Sequence, residues 1–252
     1  MTVSPIRVSF QYSNTGVNEQ LLSFPRKNVK QRDVFGVLQY NGGVRKMGIP
    51  LTRRDRHWTY ADICALPEEE RWEIIDGVAW NMCAAPIEPH QWISGEIWYR
   101  LRDLLGADGP CRVYAAPFDV FFPRAPMPTE GGEPVLDGID TVVQPDIVVI
   151  CDRNRIIREG CVGAPDLVVE ILSPSTSQKD LRDKFALYER GGVREYWVVD
   201  PGNEAITLFR LGPDGRYADP EFYRLIQEPD ARAESRVIEG FSISARELFS
   251  RS

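Results

Sequence analysis

The chain has 252 residues and a formal net charge of −7, and 43% of its residues are hydrophobic. This length and composition are typical of one large globular domain or two small ones, with enough chain to bury a core without disulfide or metal crosslinks. The acidic charge excludes a protein that coats nucleic acid through bulk positive charge. It is compatible with an enzyme whose carboxylates hold metal ions.

The sequence carries no signal for a membrane or an export route. It contains no run of about eighteen apolar residues, so we expect no membrane span. The N-terminus lacks the basic start and apolar stretch of a signal peptide. The five cysteines are odd in number and form no C-x-x-C pair, which argues against a zinc site and a secreted disulfide framework. We therefore predict a cytoplasmic protein with reduced, structural thiols.

The first 46 residues differ from the rest. They are polar and keep neither a helical nor a strand period for long. Met47 then opens MGIPLTRRDRHWTYADI, which resembles a natural protein start. We predict that residues 1–46 are an extension, mostly disordered or loosely attached, and that residues 47–252 form a single domain. The alternative is one or two extra strands around residues 34–40.

Three elements are predicted next along the chain. A short helix begins at Thr59, which is a good N-cap. Residues 71–82 form a hairpin whose two strands are joined by Asp76-Gly77, a strong turn pair. Residues 90–106 then show apolar side chains at helical spacing, which predicts a longer helix.

The middle and end of the chain are dominated by strand patterns. Before the next helix, three strands are predicted. They are residues 111–123, which bend at a proline, residues 142–151, and the nearly continuous apolar run 166–173. A helix follows over residues 173–192, and after it come the strands 195–201 and 205–211 and a tail with short strands and a small last helix over 243–249. This order predicts a mixed α/β fold, a mixed sheet flanked by helices with an extra N-terminal hairpin and C-terminal strands.

Two acids stand out against this apolar background. Glu170 lies inside the run 166–173, and a buried carboxylate is costly unless a cation compensates its charge. The alternative is a glutamate that reaches solvent or a salt bridge. Asp146 follows Pro145 at the start of the preceding strand, where adjacent strands would set it beside Glu170. With the backbone carbonyl of Ile171, the two acids predict a divalent-metal site that polarises a phosphate and activates water.

Such a site commonly includes a lysine that stabilises developing negative charge. Leu172 stands two residues after Glu170, so the candidate is Lys184 on the following helix, at an angle that faces the sheet. The alternative is an i, i+4 pair between Lys184 and Asp180 on a solvated helix.

Two further polar residues lie close to the predicted site in sequence. His90 opens the long helix and could shuttle a proton or bind phosphate, although a histidine at a helix start is more often a cap or packing residue. Gln144, two residues before Asp146, would point to the same side of its strand and could position a water.

Six segments of the chain resemble the putative restriction endonuclease family of the Uma-two type, which belongs to the PD-(D/E)XK nuclease superfamily. They are WEIIDG (72–77), PHQ (89–91), APFDV (116–120), VVQPDIVV (142–149), GAPDLVVEILSPSTSQKDLRDKFALYERGGVREYWVVDP (163–201) and GFSISARELF (240–249). The resemblance implies a restriction-endonuclease-like core in which a mixed sheet is flanked by helices and the acids lie at the edge of a cleft.

The same resemblance implies roles for individual residues. Asp146 matches the acid of the first half-motif, and Glu170 matches the acid of the second. Lys184 is similar to a relocated catalytic lysine, since the usual position holds Leu172. Glu73 matches the glutamate that begins the E-x-x-D-G hairpin, which the family places beside the same cleft. Pro165-Asp166 repeats the PD letters but is too close to the second acid, so we interpret it as the start of a strand.

Together these features predict a Mg²⁺- or Mn²⁺-dependent endonuclease that hydrolyses phosphodiester bonds in DNA. Because cutting both strands of a duplex calls for two active sites, we also predict a homodimer, with the strand-rich C-terminal third as the candidate surface. Two alternatives stay open. One is a catalytically silent nuclease-fold module that binds nucleic acid or protein, which the acidic charge favours. The other is a metal hydrolase of smaller phosphoesters.

Overall fold

A computed structural model of the chain describes residues 52–53, 56–67, 70–82, 87–125, 129–130, 133–173 and 180–250. Gly48–Ser252 forms one compact unit. The predicted extension over residues 1–46 lies outside the described residues, and so does the alternative of strands at residues 34–40. Both stay predictions.

The described residues contain sixteen strands and four α-helices. The helices are α1 (Tyr60–Cys64), α2 (Glu88–Leu105), α3 (Phe185–Gly191) and α4 (Ala245–Phe249). The strands are β1 (Thr52–Arg53), β2 (Trp72–Ile75), β3 (Val78–Asn81), β4 (Arg112–Ala115), β5 (Asp119–Phe121), β6 (Thr129–Glu130), β7 (Glu133–Pro134), β8 (Val142–Val143), β9 (Ile147–Ile150), β10 (Gly160–Val162), β11 (Leu167–Ile171), β12 (Glu195–Asp200), β13 (Ala205–Arg210), β14 (Glu221–Arg224), β15 (Arg232–Glu234) and β16 (Ser242–Ser244). Within the described part of the chain, no helix has the length and apolarity needed to cross a bilayer.

Two six-stranded sheets form the framework. The first has the strand order β1-β3-β2-β8-β5-β10, and the second has the order β14-β13-β12-β11-β9-β4. Each contains one parallel pair, β5 with β10 and β11 with β12, among antiparallel neighbours. The predicted mixed α/β class is confirmed. The prediction of one mixed sheet differs from the structure, which divides the strands between two.

The division occurs because two predicted strands each contribute to both sheets. Residues 111–123 separate into β4 in the second sheet and β5 in the first, around Pro117, which follows a cis peptide bond. Residues 142–151 separate into β8 and β9 around Pro145. A proline has no N–H to donate to a ladder, so each ladder ends there and the chain passes to the other sheet. Asp146 therefore lies at a crossover between the sheets.

The core has a layer on each face of the second sheet. Strands β11 and β12 are buried at every residue, as expected for strands covered on both faces. Side chains alternate along a strand, so Val169 packs with Ile93 and Ile97 of α2 on one face. Val168 packs on the other face with Leu187 of α3. Even-numbered residues of β11 therefore point toward α3 and the first sheet.

The prediction that all the cysteines are reduced is wrong for one pair. Cys111 and Cys151, which are 40 residues apart, form a disulfide with Cα atoms 3.9 Å apart. They lie one step beyond the last paired residues of β4 and β9, directly opposite each other. Cys64 and Cys161 are free thiols. Because disulfides are rare in cytosolic proteins, the cytoplasmic location stays a prediction.

Candidate functional site

The two predicted metal ligands lie on neighbouring antiparallel strands. Strand β9 pairs with β11 in a register that sets Ile147 opposite Val169. Asp146 lies one residue before Ile147 and Glu170 one residue after Val169, where this pairing ends. The Asp146 side chain ends the ladder, because its Oδ2 accepts a hydrogen bond from the Ile171 amide at 2.7 Å. This hydrogen bond sets the Asp146 carboxylate beside the backbone of the residue that follows Glu170.

Lys184 lies between two glutamates in the interior. Its Nζ is 2.7 Å from Glu170 Oε1 and 3.0 Å from Glu73 Oε1, and the residue is only 2% exposed. This burial excludes the alternative in which Lys184 is a solvated helix residue. Lys184 is the last residue of a π-helical turn over Asp180–Lys184, a feature often found at functional sites because it changes the direction of a side chain.

Glu73 reaches the cluster from the first sheet. It lies in β2 and is fully buried, with 0% exposure. Its Oε1 accepts a hydrogen bond from the Gln144 backbone amide at 2.8 Å, besides the contact with Lys184. The lysine therefore connects β2 of the first sheet with Glu170 on β11 of the second.

The cluster places charged groups in the protein interior. Glu73 and Glu170 are both buried, and Lys184 is the cation between them. Buried charges are stable only when ion pairs and hydrogen bonds compensate them. The Tyr188 hydroxyl adds one such bond, donating to Glu170 Oε1 at 2.6 Å. Lys184 and Tyr188 thus both compensate the buried carboxylate of Glu170.

His90 contacts the same aspartate from α2. Its Nε2 lies 3.2 Å from Asp146 Oδ2, and the residue is 8% exposed. It is on the buried face of α2 with Ile93 and Ile97, so the helix directs it toward the sheet. A group that holds a carboxylate in this way orients it for a ligand. Its predicted roles as a proton shuttle or phosphate ligand stay predictions.

The structure places the Gln144 side chain between an aspartate and an arginine. Its Nε2 donates to Asp119 Oδ1 at 2.7 Å, and its Oε1 accepts a hydrogen bond from Arg71 Nη2 at 2.5 Å. Both ends of the amide are thus used by protein groups. The predicted role of Gln144, positioning a water, stays a prediction.

Residues 59–246 match the sequence model of the family Uma2, described as "putative restriction endonuclease". The chain belongs to the Uma2 family. The resemblance stated from the six sequence segments is thereby confirmed.

Two known proteins are similar to this Uma2 chain. The uncharacterized protein slr1290 of Synechocystis sp. is 36% identical over 72 residues, a match that spans 28% of this chain and 38% of that protein. A crystal structure of a "putative nuclease belonging to DUF820" from Anabaena variabilis superposes with a TM-score of 0.59 at 23% identity, covering 77% of this chain and 98% of that one. This likeness confirms the restriction-endonuclease-like fold.

The donor atoms of the Uma2 site fit a hard divalent cation. Hydrogen bonds from the described residues to the Asp146 side chain reach Oδ2, from the Ile171 amide and from His90, so Oδ1 is available to a ligand. Among the described residues, no group of three or more His, Cys, Asp or Glu side chains could hold a metal. Mg²⁺ keeps several waters and commonly needs only one or two carboxylates. The assignment of Asp146, Glu170 and the Ile171 carbonyl as metal ligands stays a prediction.

Three residues near the site were not predicted from the sequence. Tyr188 gave no signal, since an aromatic residue on the inward side of a helix gives no sign of a polar partner. Asp119 could have been found, because it is an acid within an apolar strand; burial raises the pKa of its carboxyl, while the hydrogen bond from Gln144 lowers it. Arg71 gave no signal, because an exposed arginine before a strand is common.

The Tyr188 hydroxyl provides a direct test of the cluster. Tyr188→Phe is expected to lower the free energy of unfolding by about 1–3 kcal/mol, because a buried carboxylate loses a donor while the ring packing is kept. Urea denaturation measures the difference. Tyr114→Phe is the control, since that hydroxyl has no hydrogen bond with the described residues, and its effect should stay below about 0.5 kcal/mol. Equal stability of the two variants would contradict the assignment.

Proposed function

We propose that the protein is a divalent-metal-dependent endonuclease that hydrolyses phosphodiester bonds in DNA. The observation that carries this proposal is the buried ion-pair cluster of Glu73, Lys184 and Glu170. Asp146 is linked to it through the amide of Ile171, the residue that follows Glu170. A chain of this size has no structural need for three ionisable groups in its interior, since apolar residues of similar volume are often as stable. Membership of a nuclease family and fold supports the same reaction class.

The proposal gives each residue a task. Asp146, Glu170 and the carbonyl of Ile171 would hold Mg²⁺ or Mn²⁺, and when bound the ion supplies polarisation of the phosphate and a water of lowered pKa. The Lys184 ammonium would stabilise negative charge that develops on the phosphate oxygens. Glu73 fixes that ammonium in place.

The experiment that tests the function uses supercoiled plasmid, single-stranded DNA and RNA. We expect the purified chain to nick or linearise plasmid with Mn²⁺ or Mg²⁺ and to leave it intact with EDTA. Glu170→Gln, purified identically, controls for a contaminating nuclease. Cleavage that persists in EDTA, or that is the same in Glu170→Gln, would refute the assignment.

The net charge of −7 favours a second candidate, a catalytically silent module that binds nucleic acid or protein. This candidate predicts DNA binding in the same assays without any cleavage. Hydrolysis of bis(p-nitrophenyl) phosphate without cleavage of DNA would instead indicate a third candidate function, a hydrolase of smaller phosphoesters.

We also propose that the protein acts as a homodimer, because two active sites are needed to cut both strands of a duplex. Sedimentation velocity at micromolar concentration should give a mass near twice that of one chain, and DNA should be linearised without a long-lived nicked form. A monomer at these concentrations would overturn this proposal and leave a nicking activity as the alternative.

A further inference from the structure

Arg71 is the last exposed residue before the chain enters the buried cluster. Its carbonyl accepts a hydrogen bond from the Met82 amide at 2.8 Å, which extends the pairing of β2 and β3 by one residue. In an extended chain, residues two apart point to the same face, so Arg71 and Glu73 share one face of the first sheet. Arg71 is exposed whereas Glu73 is fully buried. The guanidinium therefore lies at the rim of the site.

The guanidinium is held by the residue that also holds Glu73. Arg71 Nε and Nη2 donate to Gln144 Oε1 at 3.2 and 2.5 Å. The Gln144 backbone amide donates to Glu73 Oε1 at 2.8 Å, and its side-chain Nε2 is anchored on Asp119 at 2.7 Å. One residue thus fixes both a charged rim group and a buried site carboxylate.

An amide acceptor orients a guanidinium without neutralising its charge. Other exposed arginines, such as Arg190, Arg194 and Arg216, each contact a carboxylate at 2.7 to 3.1 Å. Arg71 forms no such ion pair with the described residues, where its hydrogen bonds go to Gln144. Burial raises the pKa of the Asp119 carboxyl, and the Arg71 charge is close enough to lower that pKa. The guanidinium itself is oriented by an amide and stays exposed beside the site. The planar guanidinium matches the oxygens of a phosphate better than any other side chain does.

We propose that Arg71 binds a phosphate group of the nucleic-acid backbone at the rim of the site, with Gln144 and Asp119 as positioning residues. This inference rests on the proposed function and names the contact through which an acidic protein holds a polyanionic substrate. Lys184 does not lie at this rim, because its ammonium is buried between two glutamates.

The test is the salt dependence of DNA binding. Fluorescence anisotropy with a labelled duplex, in Ca²⁺ at 50 to 200 mM salt, gives the dissociation constant and the slope of log K against log[salt]. We expect Arg71→Ala to weaken binding about 10-fold and to reduce the slope by about one, because one phosphate contact is lost. Arg71→Lys should keep the slope and recover only part of the affinity, since it keeps the charge but loses the oriented fork.

Two more variants separate the phosphate contact from a structural role. Arg216→Ala removes an exposed arginine that is paired with Glu189, and it should leave both affinity and slope unchanged. Gln144→Met should weaken binding less than Arg71→Ala and keep the slope, because the charge stays while its orientation is lost. Thermal denaturation should show wild-type folding for Arg71→Ala, whose side chain is exposed.

The outcomes distinguish this inference from the proposed function. If no variant cleaves DNA but Arg71→Ala loses affinity and slope, the nuclease assignment fails and the phosphate site stands. If the wild type cleaves DNA and Arg71→Ala binds with the same slope, the phosphate site fails and the nuclease assignment stands. A wild type that does not bind DNA, or an Arg216→Ala variant as weak as Arg71→Ala, overturns the inference as well.

Discussion

Replacing Lys184 with alanine is expected to lower the free energy of unfolding by about 3–5 kcal/mol and to reduce DNA cleavage about 100-fold or more. The first effect follows from burial, since Glu73 and Glu170 would lose the cation that both contact. The second follows from the proposed role, because the lysine would contribute a charge contact made in the transition state. Urea denaturation and a single-turnover cleavage assay measure the two effects.

The stability effect is a consequence of the structure that the sequence did not reveal. A lysine that merely faced a metal site would leave folding nearly intact when removed, since oxygens hold the metal. A lysine enclosed by two buried carboxylates also stabilises the fold. Lys184→Arg should be a poor substitute, because a planar guanidinium does not replace a compact ammonium between two oxygens at 2.7 and 3.0 Å.

Two further variants separate stability from catalysis. Arg182→Ala, two residues earlier with an 83% exposed side chain, should change neither quantity. Lys184→Met combined with Glu73→Gln removes one positive and one negative charge, and it should recover much of the stability that Lys184→Ala loses. Cleavage should stay as low as in the alanine variant. If Lys184→Ala is as stable and active as Arg182→Ala, both roles of the lysine are wrong.

Local patterns predicted the elements well but could not predict how the strands divide. The hairpin at Asp76-Gly77 and the apolar strand around Glu170 follow from turn chemistry and periodicity, which act over a few residues. Pro117 was interpreted as a bend within one strand, and residues 142–151 were predicted as a single strand across Pro145. The same residue chemistry also allows a crossover between sheets, and only the packing of distant strands decides between the two.

Local patterns also could not predict how the residues of the candidate site come together. Glu170 could be found singly, because a carboxylate in an apolar run is unusual, whereas Glu73 was identified only through the family resemblance. The partnership of Glu73 with Glu170 could not be derived from spacing, since 97 positions separate them and the two residues lie in different sheets. Lys184 was selected by its angle on an α-helix. It points inward from a π-helical turn, a geometry that the sequence does not signal.

The second large effect is expected at Asp146, which lies where the chain crosses between the two sheets. Asp146→Asn should weaken Mn²⁺ binding by more than about 100-fold and abolish measurable cleavage, because the loss of a direct ligand exceeds the 10- to 100-fold effect of a residue that only orients one. The fold should survive, since the amide oxygen of asparagine can still accept the Ile171 N–H that Asp146 Oδ2 now accepts at 2.7 Å. Calorimetric titration with Mn²⁺ measures the affinity, and urea denaturation measures the stability.

The chain provides its own control for this experiment, because Pro165-Asp166 repeats the letters of Pro145-Asp146. Asp166 also caps a strand, accepting the Cys151 amide at 2.8 Å, but its second oxygen pairs with exposed Arg194. Asp166→Asn therefore removes the same charge from a similar backbone setting away from Glu170. We expect it to leave Mn²⁺ affinity and cleavage unchanged and to cost at most about 1 kcal/mol of stability. If both variants lose the metal equally, overall charge rather than a site at Asp146 governs binding; if neither does, the metal is held elsewhere.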